Sequence, residues 1–439
     1  MKKYVFALSI TLLFCVCCVF AADINDIEIN SKSVYMVNLN NGQVMLDING
    51  EKKMEPASLT KIMTTLVVLE NCDDIENERI YIEDDGLFYD IRREGGSNIA
   101  LRTGETLTVK DLLYATMLPS ACDAAELLAY HFGDGDINNF IDMMNERAHQ
   151  IGAVNTVFKN AHGLNVDGHV TTAYDMSLIA REALKNEQFR KIVSSSSYTI
   201  PATQVSAKRD IRYSVELVNR NSSNYYRYAM GIKTGFTDQA GRCLITMAAK
   251  DDVAYLLVLM GANLDGEATP IKTYSDAKEL FEHAFNAYTL SLIAEKGGVL
   301  ANSEIYFEDD NVKSIELLAK DDIELILPHG VTPDMLERKY TYKKNLSLPL
   351  LSGDELGSVT FSYDGRDIAS FEFVSGRNIY DVMPDGEITF YPAKGLNKLT
   401  FYKAFFVAGA VICVLCIIVI LRSRSRKKSD SARKRNSNR

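Results

Sequence analysis

At 439 residues, with an apolar fraction of 47% and a charged fraction of 24%, the chain has room for two or three globular domains and is not a disordered or low-complexity one. The net charge of −10 conceals a split, because from Arg422 onward nine Lys or Arg stand against one Asp, a balance of +8 that leaves −18 for the rest. So acidic a body argues against nucleic-acid binding.

Met1-Lys2-Lys3, an apolar run through Phe20 and Ala21-Ala22-Asp23 read as a secretory signal over 1–22, cleaved after Ala21 or Ala22, with an uncleaved anchor as the alternative. Cys15, Cys17 and Cys18 lie in that run, but none follows a small residue as a lipoprotein cysteine would. Ser33 to Leu39 and Gln43 to Asp47 are β-rich, and Asn40-Asn41-Gly42 between them predicts a hairpin. Pro56 to Glu70 reads as a helix: Pro56 suits a first turn, and no glycine or proline interrupts the apolar run after it.

Ile80 to Asp90 is strand or loop, and Gly95-Gly96 marks a turn. Helices are expected over Lys110 to Met117, Asp123 to His131, Ile137 to Ile151 (ended by Gly152) and Tyr174 to Lys185, the last opened by Thr171-Thr172. Leu118-Pro119-Ser120 and Asn160 to Asn165 read as loops. Cys243 to Ala249 and Val253 to Gly261 flank Lys250-Asp251-Asp252 as a second hairpin, and a helix from Asp276 to Tyr288 closes the domain. Strands at both ends with helices between them predict an α+β catalytic domain over 24–292, an antiparallel sheet with helices on its faces.

From about Val299 the texture changes to short alternating runs at Glu304 to Phe307, Val312 to Leu318, Ile323 to Leu327, Ser358 to Tyr363 and Ala369 to Val374. They predict a small β-sandwich over 296–376, a spacer or docking module, with a linker over 377–403 after it. Ala404 to Leu421 carries no charge and is long enough for one membrane-spanning helix, after which the basic tail 422–439 stays in the cytoplasm. The body is then held outside the cell at the membrane. Three cysteines remain outside the two apolar segments, Cys72, Cys122 and Cys243, an odd and sparse set that implies no disulfide framework.

The candidate chemistry begins at Ser58 and Lys61, three apart on the Pro56 helix and so on one face. A serine beside an amine is a nucleophile beside its base, provided that desolvation or a nearby cation lowers the lysine's pKa. At a helix start, free N–H groups favour developing negative charge. Ser-x-x-Lys alone is weak evidence, since Ser275 to Lys278, Ser425 to Lys428 and Ser431 to Lys434 repeat it. Lys233-Thr234-Gly235 supplies the second cue: a glycine allows close backbone approach, and Lys with Thr can hold a carboxylate.

Ser58-x-x-Lys61, then Ser120 in a loop between helices, then Lys233-Thr234-Gly235 is the motif order of penicillin-binding proteins and serine β-lactamases. Within that group the chain resembles the low-molecular-weight penicillin-binding proteins, serine-type D-alanyl-D-alanine carboxypeptidases. The stretches Glu55 to Thr64, Met117 to Ala125, Asn160 to Leu164, Thr171 to Asp175 and Gly231 to Gly241 carry the likeness. It implies a β-lactamase/transpeptidase-like catalytic domain over about residues 30–290 and a second domain after 296.

The same resemblance implies that Lys61 takes the proton of Ser58, which attacks the penultimate D-alanine carbonyl of a peptidoglycan stem peptide. Backbone N–H groups of Ser58 and Phe236 would hold the oxyanion, and Ser120 would relay a proton to the departing D-alanine. Lys233 and Thr234, with help from Arg220, would bind the terminal carboxylate, and Asn160 and His162 would orient water. β-Lactams are the expected covalent inhibitors, and with no metal cluster in the sequence no cofactor is expected. One departure stands out: the family's Ser-x-Asn is here Ser120-Ala121-Cys122, and a thiol is a poorer hydrogen-bonding group than an amide. Ser222-Ser223-Asn224 has the right letters but lies too close to Lys233. A β-lactamase, a transpeptidase or endopeptidase, and a wall-binding or sensing module without turnover are the rival readings.

Overall fold

The computed structural model describes residues 24–262, 272–306, 312–344, 346, 349–379 and 389–392. The predicted signal 1–22, membrane helix 404–421 and basic tail 422–439 lie outside them, and among the described residues no helix is long and apolar enough to cross a membrane.

The chain opens with the hairpin β1 (Ser33–Asn38) and β2 (Val44–Ile48), and a 3-10 turn over Ala57–Thr60 then runs into α1 (Lys61–Asn71). Next come β3 (Arg79–Tyr81), α2 (Tyr89–Arg93), β4 (Thr106–Thr108), α3 (Val109–Met117), α4 (Cys122–Phe132), α5 (Ile137–Ile151), α6 (Ala173–Ala183) and α7 (Glu187–Val193). A small hairpin, β5 (Ser197–Ile200) and β6 (Arg209–Arg212), precedes β7 (Ala229–Thr237), β8 (Gly241–Lys250), β9 (Val253–Ala262) and α8 (Lys272–Ala287).

The main sheet is antiparallel with strand order β2-β1-β9-β8-β7, so the first hairpin pairs with the last strand in sequence and β7 is left at an edge. β1 and β9 are almost wholly buried, which accounts for their near-continuous apolar character. Helix α1 is buried from Lys61 through Val68 and packs against α3, α4, α5, α6 and α7. Its interior side chains, Ile62, Met63, Leu66 and Val67, each contribute about 1.5–3 kcal/mol by leaving water. Reciprocal bonds between Thr108 and Asp111 start α3, and Thr172 does the same for α6 by accepting from the Asp175 amide.

The helix expected from Pro56 differs at its beginning. Pro56 precedes a separate 3-10 turn holding Ser58, Ala57 takes a left-handed conformation (φ 46°), and α1 starts only at Lys61. Helix α7 and the hairpin β5–β6 fall in a stretch to which the sequence assigns no element.

The chain separates into two compact units: one runs through Ile293 and takes in Asp322–Lys339 and Thr360–Ser370, the other holds the rest of the described C-terminal residues. The C-terminal region is β-rich: β10 (Tyr288–Ala294), β11 (Val299–Tyr306), β12 (Val312–Ala319), β13 (Ile323–Pro328), β14 (Glu337–Tyr342), β15 (Glu355–Tyr363), β16 (Arg366–Ser375) and β17 (Thr389–Pro392). Six of these form one sheet, in the order β14-β15-β16-β12-β11-β17, while β10 pairs with β13. Strand β17 corrects the linker assigned to 377–403, because Thr389–Pro392 is antiparallel to β11, a pairing that a run of only four residues does not announce.

Candidate active site

Ser58 sits on the 3-10 turn that packs against edge strand β7. Two glycines make that approach possible. A Cβ on Gly163 (φ 86°) would lie 1.9 Å from the Ala57 carbonyl oxygen, and one on Gly235 would lie 3.2 Å from the Ser58 nitrogen. The left-handed Ala57 is thus clamped between a loop and a strand, and strain of this kind persists only where the surroundings over-determine it.

Lys61 is completely buried, and its Nζ reaches Ser58 Oγ at 3.0 Å, Cys122 Sγ at 3.3 Å and the His162 carbonyl oxygen at 2.5 Å. Lys233 is equally buried and donates to the Thr234 carbonyl at 2.9 Å. Burial, and then the charge of Lys61, push the Lys233 amine well below its ordinary pKa, while Cys122 acts weakly the other way. A dry site with two amines carries one positive charge more easily than two.

Ser120 has a left-handed backbone (φ 66°), and its buried hydroxyl has no hydrogen-bond partner among the described residues. Such an orphan donor is costly unless something else is to occupy the space it faces. Just beyond it, the Cys122 amide donates to the Ser97 carbonyl at 2.6 Å, and buried Asp123 accepts from the amides of Ile99 and Leu101. These bonds fix the loop around Gly95 to Leu101 as one rim of a cleft of about 330 Å³. Ser58, Ser120, Cys122, Thr234, Phe236 and Arg242 are among its lining residues. The Thr234 and Ser214 hydroxyls lie 3.0 Å apart on the opposite wall.

Ser58, Lys61, Ser120, Cys122, Lys233, Thr234, Gly235 and Phe236 therefore converge, and Arg220 does not. It lies exposed in a turn outside the cleft lining, and the arginine that lines the cleft is Arg242, with its guanidinium 5.4 Å from the Phe236 ring centre. Arg242 pairs directly with Phe236 across the β7–β8 hairpin, so extending that hairpin from Lys233 in the sequence would have found it.

His162 stands behind Lys61 rather than in the cleft lining. Its Nδ1 lone pair accepts from the Leu164 amide at 3.1 Å, which puts the neutral ring's proton on Nε2, 3.6 Å from Glu126 Oε2, so the ring has no free lone pair to act as a base toward water. Burial, then the charge of Lys61, hold its pKa at about 3. The Asn160 side chain is likewise occupied, accepting from the His162 and Gly163 amides and donating to the Leu164 carbonyl.

An antiparallel sheet backed by helices, with a serine on a strained turn and a buried amine beside it, defines an acyl-transfer enzyme of the Ser-x-x-Lys class. Residues 20–264 match the family model of the D-alanyl-D-alanine carboxypeptidases and 288–381 that of the penicillin-binding protein 5 C-terminal domain, and the chain belongs to the D-alanyl-D-alanine carboxypeptidase family. It is 30% identical over 362 residues to D-alanyl-D-alanine carboxypeptidase DacF of Bacillus subtilis, covering 82% of this chain and 88% of the relative. Identity to DacA of Escherichia coli is 25% over 382 residues, 82% of this chain and 89% of that one. Among solved structures, penicillin binding protein 5 from Haemophilus influenzae matches with a TM-score of 0.64 and 26% identity, covering 81% of this chain and 99% of that one. The Streptomyces K15 DD-transpeptidase matches with 0.54 and 26%, over 59% and 98%.

Proposed function

We propose that the protein is a serine-type D-Ala-D-Ala carboxypeptidase that removes the terminal D-alanine from peptidoglycan stem peptides through an acyl-enzyme on Ser58. The observation that carries this reading is the 3.0 Å contact between Ser58 Oγ and the buried Lys61 amine. A substrate carboxylate beside Lys233 and Thr234 draws the shared positive charge to Lys233 and leaves Lys61 as a free amine. Lys61 takes the Ser58 proton as Oγ bonds to the penultimate D-alanine carbonyl carbon. The backbone N–H groups of Ser58 and Phe236 hold the oxyanion, each worth about 2.7–4 kcal/mol.

Collapse breaks the peptide bond, and the departing amine takes a proton relayed from Lys61 through the otherwise unpartnered Ser120 hydroxyl. Water then attacks the ester, releasing the shortened peptide and restoring Ser58. Arg242, rather than Arg220, adds positive charge for the terminal carboxylate. β-Lactams acylate the same hydroxyl and stay bound.

The chain's surroundings belong to the same proposal. In it the protein is a single-pass one at the cell membrane with the catalytic unit outside, a reading supported by the signal-like sequence of 1–22, the uncharged run over 404–421 and the cations after it. The β-rich region, read as a sandwich, acts as spacer or docking module. The test is D-alanine release from a diacylated Lys-D-Ala-D-Ala peptide together with labelling by a fluorescent penicillin. Wild type releases D-alanine and is labelled, Ser58→Ala does neither, and equal labelling of the two overturns the nucleophile.

A further inference from the structure

Glu126 sits one turn along α4 from Cys122, outside the cleft lining, and no step of the Ser58 chemistry uses it. Its Oε2 is buried without a hydrogen-bond partner and lies 3.6 Å from His162 Nε2. The tautomer of His162 is set by its other nitrogen. Because Nδ1 accepts from the Leu164 amide, the neutral ring carries its proton on Nε2, aimed at Glu126. The main chain of the same residue holds the base, since the His162 carbonyl accepts from Lys61 Nζ at 2.5 Å. The same stretch of main chain is also held by Asn160, which accepts from the His162 and Gly163 amides, and by Thr64 Oγ1 donating to the Ala161 carbonyl at 2.6 Å. Among these contacts, the one whose charge can change near neutrality is that between the imidazole and the carboxyl.

We propose that Glu126 is a positioning residue: facing His162 Nε2–H at 3.6 Å, it orients the imidazole electrostatically and so steadies the His162 carbonyl and, through it, the amine that activates Ser58. This rests on the Ser58 acyl-enzyme reading. The groups that face the carboxyl are His162 from the loop, Asp90 from α2 with Arg93 paired to it at 3.0 Å, and Lys61 from α1 on the far side of His162. Burial, and then Asp90, raise the Glu126 carboxyl to about 7. The contact therefore changes in strength around neutrality, because a carboxylate attracts the Nε2–H dipole more strongly than a neutral acid does.

The experiment tracks penicillin acylation of the full chain from pH 5 to 9, with the KM for D-alanine release measured alongside. Glu126→Gln, an isostere of the protonated acid, should match wild type below about pH 6 and acylate about three- to tenfold more slowly at pH 8. Glu126→Ala should be slower throughout, and both KM values should stay within about twofold of wild type. Coinciding profiles overturn the proposal, as does a Glu126→Gln profile displaced uniformly at every pH. A Glu126→Gln variant faster than wild type above pH 7 also overturns it, since the charge would then act against Lys61. Should Glu126→Ala fail to fold, Glu126→Gln decides alone. Absence of any wild-type adduct, or an adduct that survives Ser58→Ala, would instead defeat the acyl-enzyme reading.

Discussion

The two walls of the cleft are built on opposite principles. On the helical wall, Ser58, Lys61, Ser120 and Cys122 sit on or beside two left-handed non-glycine residues, with Lys61 reaching no solvent at all. On the sheet wall, Thr234, Phe236 and Arg242 lie on or beside an edge strand, and although its Lys233 is as buried as Lys61, Phe236 is 48% exposed. Bond-making requires atoms held within tenths of an ångström in a dry setting, whereas recognition of an extended peptide requires an edge that the peptide can reach. Substitutions on the first wall should cost rate and stability, and those on the second should cost binding.

The largest effect expected is from Ser58→Ala, with D-alanine release down by at least about a thousandfold and no covalent penicillin adduct by mass spectrometry. Gly163→Ala comes next: a methyl 1.9 Å from the Ala57 oxygen must move the nucleophile turn, with acylation down by about a hundredfold and a stability loss of about 2–4 kcal/mol in urea titration.

Behind the same wall, the Glu126–His162 pair makes stability depend on pH in two opposing ways. The folded Glu126 acid is raised from 4.5 to about 7, so folding favours its protonated form, and stability from this group falls as pH rises from about 4.5 to 7. The folded His162 is lowered from 6.5 to about 3, so its contribution is lost as pH falls from about 6.5 to 3. The two slopes offset each other where they overlap. Glu126→Gln should remove the first, leaving stability that rises with pH from 3 to 6.5 and then levels off, and a gain at pH 8 of up to about 3 kcal/mol. Urea midpoints across that range measure it.

The smallest effects belong to the sheet wall. Arg242→Ala should raise KM about tenfold with kcat within about twofold, while Arg220→Ala, exposed and outside the cleft, should leave both within about twofold of wild type. Equal penalties at the two arginines, or a loss confined to kcat, would erase the distinction between the walls.

Much of this architecture was legible before folding. The hairpin turn at Gly42, the Thr108 and Thr172 caps and the Gly152 stop are local signals, and the elements they bound lie within a few residues of expectation. Less legible were features set by distant partners. Helix α7 and the β5–β6 hairpin carry few apolar residues of their own, and β17 is recruited by pairing with β11. The helix expected from Pro56 gives way to a turn because Gly163 and Gly235 press on Ala57 from over a hundred residues away.

Within the cleft, motif order alone named the serine, the two lysines and the strand edge, since the reaction demands those side chains and their spacing is local. Which arginine faces substrate, that the His162 ring is spoken for while its carbonyl holds Lys61, and that a buried glutamate stands behind it were decided only by tertiary structure. Those outcomes depend on strand register and on which main-chain atoms meet across long separations in the chain, and neither leaves a local trace in residue type.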